Sequence, residues 1–172
     1  MVAEDKKPSV RMETSRFEEL YDAYGKDVLN VSYFYLHDRQ KAEDVTQDVF
    51  LKLLLNNPSL APGKEKSWLL KVALNRCRDL WRSAWLRRVT LGVEKAERRK
   101  APDRTDAFLE REELLAAIAR LSDETRSVIL LHYYQGLGVA EIGEILGIPA
   151  GTVSSRLSRG RDRLGALLKE CE

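Results

Sequence analysis

Five side chains near the C-terminus, Ser154, Ser155, Ser158, Arg159 and Arg161, form the densest patch of outward hydrogen-bonding chemistry in the sequence. They share a helical stretch that begins at Pro149 and turns Val153 and Leu157 to its other side. Serine hydroxyls both donate and accept, and an arginine fork can hold a guanine edge bidentately or clamp a phosphate. Just before them, Val139 to Leu146 reads as a short helix closed by Gly147, a left-handed stop. A short helix, a glycine-containing turn and a second helix make a helix-turn-helix, whose second helix fits a major groove about 12 Å wide. Ala140 and Gly143 are small where the two helices approach, while Ile142, Ile145, Ile148, Val153 and Leu157 supply the wedge. The competing reading is an αα-hairpin whose arginines are only solvated.

Two further constellations lie upstream. Asn75, Asp79 and Arg82 fall at i, i+4 and i+7, with Arg78 beside them, opposite an apolar stripe of Trp68, Val72, Ala73, Cys77, Leu80 and Trp81. Asparagine can bond a base edge, arginine can neutralise phosphate, and Trp81 and Trp85 offer flat faces to an unstacked base. Asp44, Gln47 and Asp48 form a second, carboxylate-rich stripe, which repels DNA and attracts a basic protein helix. Taken singly, the Asn75 face reads more readily as a solvated helix surface, and the Asp44 stripe reads equally well as one.

Chemistry of other kinds has little to build on. His37, His132, Cys77 and Cys171 are isolated, with neither metal-ligand nor nucleophile–base spacing, so no metal, cofactor or catalytic residue is expected. Cys77 reads as a small buried hydrophobe. The stretch from Met1 to Glu13 lacks the apolar core of a secretory signal and no apolar run is long enough to span a bilayer, so a cytoplasmic location is expected.

The elements that position these residues are helical throughout. Ser15 with Glu18 has capping-box form, Asp38 can cap a second helix and Ser67 a third. A turn-rich loop separates the last two, from Asn56 to Ser67. Later, Leu109 to Arg120, Asp123 to Gln135 (capped by Ser122), Val139 to Leu146 and a last helix towards Lys169 follow one another. The fold expected is all-α: a tail over 1–13, a three-to-four-helix bundle over 14–86, a flexible linker over 87–106, and a four-helix domain with the helix-turn-helix over 107–172. Charge is segregated along this plan. Residues 67–104 hold 11 basic and 4 acidic side chains (+7), and residues 105–148 hold 3 and 8 (−5), within a chain whose net charge is +2. Local field, not net charge, decides what a surface attracts.

Taken together, these segments resemble the extracytoplasmic-function sigma factors. Ala42-Glu43-Asp44-Val45-Thr46-Gln47-Asp48-Val49-Phe50-Leu51-Lys52 resembles the family's polymerase-docking helix, and Trp68 to Arg82 its W-L-x-x-x-A-x-N-x-x-x-D-x-x-R signature. Leu121 to Arg163 resembles the domain that reads the −35 element. The resemblance implies that Asp44, Gln47 and Asp48 dock on the clamp helices of the largest subunit of core RNA polymerase. It implies that the loop from Asn56 to Ser67 captures a base flipped from the −10 element, with Asn75, Arg78, Asp79 and Arg82 beneath it. Ser154, Ser155, Arg156, Ser158, Arg159 and Arg161 would meet the −35 element, the linker would thread the polymerase cleft, and an anti-sigma factor would be a further partner. The family often has arginine or lysine at the position of Ser154 and a larger residue at that of Ser158, so a −35 consensus does not carry over. A plain DNA-binding regulator is the main rival, but residues 1–86 lack the alternating β and α pattern of a receiver domain. An enzyme that processes nucleic acid lacks a clustered acid pair.

Overall fold

Residues 12–91 and 106–170 are described by a computed structural model, and every regular element among them is helical. Residues 92–105 of the expected linker, most of the N-terminal tail and Cys171 lie outside the described residues. The first half is a bundle of α1 (Thr14–Leu36), α2 (Arg39–Asn56) and α3 (Glu65–Leu91). The second half holds α4 (Asp106–Ala119), α5 (Asp123–Ile129), which runs on as a π-turn over Leu130–Tyr134, then α6 (Val139–Leu146) and α7 (Ala150–Lys169).

Local chemistry sets most boundaries. Asp38 is extended at φ −145° and accepts the Lys41 N–H through its carboxylate at 3.0 Å, which satisfies one of the donors that a helix start leaves free. Ser122 does the same for Thr125. Two expected caps are corrected. α1 starts at Thr14 after an extended Glu13 with no side-chain cap, so Ser15 is already helical. α3 starts at Glu65, directly after a turn in which Gly63 takes φ +81°, so Ser67 lies inside the first turn. α3 also outruns the boundary expected at Leu86, because Arg87 to Leu91 contains no glycine or proline to stop it.

The apolar stripes meet as their periods dictate. Val28, Val31 and Tyr35 of α1, Val45, Val49 and Leu53 of α2, and Leu69, Leu70, Leu74 and Cys77 of α3 are sealed from solvent. In the second half Leu115, Val128, Leu131, Ile142 and Val153 are equally sealed. Truncating one such leucine typically costs about 2–5 kcal/mol.

The halves are not separate beads. Phe34 of α1 and Tyr134 of the π-turn lie 4.5 Å apart between ring centroids, and the Arg111 guanidinium of α4 sits 5.8 Å from the Tyr33 ring. Arg126 of α5 is the deepest bridge, at 1 % exposure. Its Nε donates to the Ile118 carbonyl at 3.2 Å, and its Nη2 donates to those of Ala119 and Leu121 at 2.8 and 2.9 Å. These are the carbonyls at and just beyond the end of α4, which a cation satisfies well. The same guanidinium lies 3.9 Å from the Trp81 ring of α3 and 4.7 Å from the Tyr35 ring of α1.

Replacing Arg126 therefore removes a helix cap and an inter-half contact together. Arg126→Ala should lower the unfolding free energy by about 3–5 kcal/mol, from three unpaired carbonyls and two lost cation–π contacts. Arg126→Lys should recover less than half, since an ammonium cannot span three carbonyls as a planar fork does. Urea denaturation reads both, and a loss below about 1 kcal/mol for the alanine variant would contradict the role.

Candidate nucleic-acid and polymerase interface

The α6–α7 unit has the geometry of a helix-turn-helix for a steric reason. Gly147 takes φ +67°, and the Ile148 N–H returns to the Gly143 carbonyl at 3.0 Å. A Cβ on Gly143 would stand 2.8 Å from the Ile148 carbonyl oxygen, so the turn closes only over glycine. Glu141 reaches back to the Gly138 N–H at 2.8 Å and fixes the start of α6. Ile142, Ile145, Val153 and Leu157 form the buried wedge as expected, whereas Ala140 is exposed and takes no part in the close approach. A second glycine, Gly160, carries no local signal in the sequence. A Cβ there would come within 2.8 Å of Ile129 and Thr125, so it sets how closely α7 lies on α5.

This packing turns Ser154, Ser155, Ser158, Arg159 and Arg161 outward together. Ser155 Oγ donates to the Thr152 carbonyl at 3.0 Å, and Arg159 Nε donates to the Ser155 carbonyl at 3.3 Å, which holds the guanidinium along the helix surface. Arg156 is different. Its side chain is largely covered and its Nη2 meets Glu124 Oε2 at 2.8 Å, so it braces α7 on α5 in this conformation.

On α2, Asp44 and Gln47 are exposed, while Asp48 accepts from Arg76 Nε at 2.9 Å. Leu51 and Leu55 continue the same stripe at 52 % and 54 % exposure, an apolar extension that their position among ordinary helix leucines hid in the sequence. On α3, Asn75, Asp79 and Arg82 share an exposed face, and Arg78 is half-buried. The loop that precedes α3 carries Lys64. These cations do not stand free: Lys64 Nζ lies 2.7 Å from Glu144 Oε2 of α6, and Arg82 Nε lies 3.3 Å from Asp123 Oδ2 of α5. The Lys64 hydrogen bond raises that ammonium's pKa and lowers that of the Glu144 carboxyl. Trp81 is not an open stacking face, because Arg126 covers it, whereas Trp85 is exposed. A groove of about 440 Å³ runs between Trp81, Arg82 and Trp85 on one side and Leu121 to Glu124 on the other.

Residues 20–87 match the family Sigma-70 region 2, and residues 111–164 match Sigma-70, region 4. The ECF RNA polymerase sigma factor SigW of Bacillus subtilis is 30% identical, over 90% of this chain and 89% of its own. SigL of Mycobacterium tuberculosis is 32% identical, over 92% of both. The chain belongs to the ECF RNA polymerase sigma factors. The fold agrees: the sigma factor RpoE of Bartonella quintana, solved in complex with the anti-sigma factor NepR, aligns at a TM-score of 0.73 and 25% identity over 91% of this chain and 98% of that one. CnrH, solved with the cytosolic domain of CnrY, aligns at 0.72 and 24% over 93% and 92%. Among the described residues no helix is long and apolar enough to cross a membrane, and no group of side chains is arranged to hold a metal.

Beneath the α3 face of this sigma factor lies a titratable core. Burial pushes the Cys77 thiol from its ordinary 9.0 up to about 12 and the Tyr35 phenol from 10.0 up to about 12. Raised acids of this kind stabilise the fold below their unfolded values and lose that contribution as pH climbs to the folded ones. The urea midpoint should therefore hold steady to about pH 9 and fall between about 9 and 12, with the lower part of the fall absent in Cys77→Ala. A flat profile to about pH 11 would contradict the burial of both groups.

Proposed function

We propose that this protein is a non-catalytic transcription initiation factor that binds core RNA polymerase through its first half, reads a promoter with both halves, and works in the cytoplasm under an anti-sigma factor. The observation that carries the reading is the pairing, on one chain, of the acidic α2 stripe with a sterically fixed helix-turn-helix whose second helix exposes serine and arginine. Polymerase binding is assigned to Asp44, Gln47 and Asp48, with Leu51 and Leu55 adding apolar contact. The −10 element is assigned to the loop before α3 and to Asn75, Arg78, Asp79 and Arg82. The −35 element is assigned to Ser154, Ser155, Ser158, Arg159 and Arg161 of α7. Arg156 joins them only if its bond to Glu124 opens. The division into two functional domains follows the same boundary between α3 and α4. The solved complex of RpoE with the anti-sigma factor NepR supports the proposed control by an anti-sigma factor.

A substitution matrix separates the two readers. Arg159→Ala should cost about 1–3 kcal/mol in promoter binding by the polymerase complex, and the loss should shrink on promoters altered in the −35 element. Asn75→Ala should leave duplex engagement intact and impair strand opening. Promoters altered in each element, assayed with each variant, give the four comparisons. Equal losses on every promoter would assign both residues to folding and overturn the site assignment.

A further inference from the structure

The loop between α2 and α3 takes its shape from its ends. None of residues 58–64 is buried, so no core contact sets their path. Pro58 and Pro62 have no N–H to give, and the Lys64 N–H closes a turn on the Ala61 carbonyl at 3.0 Å. At the upstream end Asn57 takes φ +35° and returns its N–H to the Leu53 carbonyl at 3.0 Å. The downstream end is Gly63 at φ +81°, followed by Glu65, the first residue of α3.

Glu65 does more there than start a helix. At 14% exposure it accepts from Arg16 Nη2 of α1 at 2.7 Å. Its carboxyl is held below the usual carboxylate range, first by its own backbone N–H and, against the cost of desolvation, by the Gly63 N–H and Arg16. One carboxylate thus ties together the start of α3, the glycine of the loop and the first turn of α1. Beside it, Lys66 Nζ lies 3.3 Å from Asp27 Oδ2. Glu65 and Lys66 are neighbours, yet Arg16 and Asp27 stand about 16 Å apart along α1 at 1.5 Å per residue. Two struts that diverge in this way brace the hinge against pivoting about either one.

Such pairs add little to the fold itself. Arg16 is 47% exposed, and ion pairs in contact with solvent are weak, whereas the bundle is held by side chains sealed in its core. What they restrict is the loop. A site already in shape pays no ordering cost when its ligand arrives, and it adapts less readily to the wrong one.

We infer that Arg16 and Glu65 are positioning residues for base capture: their ion pair, braced by Lys66 and Asp27, fixes the downstream hinge of the loop and so sharpens its choice of base in the −10 element. Neither touches DNA in this role. The inference rests on the proposed assignment of the loop to the −10 element, and it gives α1 a part in promoter reading as the frame on which the loop is held.

The test compares Arg16→Ala, Arg16→Lys and Glu19→Gln in the full chain. Glu19 bonds Arg16 at 3.3 Å within α1, so its variant disturbs the same guanidinium without opening the hinge. Hydrogen exchange in the free protein reads the clamp. The Lys64 and Trp68 amides, bonded to the Ala61 and Lys64 carbonyls, should exchange roughly 2–5-fold faster in Arg16→Ala, while those of α2 and α7 keep their rates. Promoter opening with core polymerase, on promoters carrying each base in turn through the −10 element, reads the role. Discrimination against a wrong base is typically about 5–150-fold. It should fall about 2–5-fold in Arg16→Ala, recover in part in Arg16→Lys and hold in Glu19→Gln. A lost phosphate contact would instead weaken every promoter equally and leave the ratio intact. An intact ratio in Arg16→Ala, unaltered exchange at the hinge, or an equal fall in Glu19→Gln overturns the proposal. Wild-type protein that opens promoters with no preference among −10 bases would overturn the loop assignment and this inference with it, and that result shows in the wild type alone.

Discussion

A guanidinium with almost no access to solvent organises this molecule. Arg126 could not be buried alone, because an unpaired cation in a low-dielectric interior is strongly disfavoured. Three carbonyls around the end of α4 and the π-faces of Trp81 and Tyr35 compensate it from three directions. The carbonyls fix the turn from α4 into α5, and α5 carries Ile129, against which Gly160 brings α7 into place. The rings belong to the other half. One side chain thus sets the internal geometry of the second half and its seat on the bundle.

Within the second half, Arg126 bonds carbonyls of its own half, and none of these bonds involves the bundle. The contacts between the halves are of a weaker kind: ring faces, rim ion pairs and a few buried polar atoms left unpaired. Strong bonds lie inside each half and weaker ones between them.

Much of this was legible in the sequence where the signal is local. Asp38, Ser122 and Gly147 act within one turn of themselves, and each caps or stops its helix as its type predicts. The turn at Gly143 was also legible, since only a small residue fits there. Ser15 and Ser67 misled because a helix can begin without a side-chain cap, after an extended Glu13 in one case and a glycine turn in the other. Arg126 and Gly160 were invisible for another reason: their partners are distant in the chain, and nothing in a helical period marks a position that meets a different element. The contact of Phe34 with Tyr134 was hidden likewise, since each reads as an ordinary half-exposed aromatic on its own helix. Arg156 and Asp48 have the right type and position for the roles assigned to them, yet each already has a partner, Glu124 and Arg76.

The chain should engage duplex DNA only weakly until core polymerase joins it, with no tight operator binding of its own. Permanganate footprinting of a cognate promoter measures this directly, with the chain and core RNA polymerase supplied singly and together and with no hydrolysable nucleotide. Reactive thymines around the −10 element should arise only when both proteins are present. Tight, sequence-specific protection of duplex DNA by the chain alone, with no opening when core enzyme is added, would contradict it.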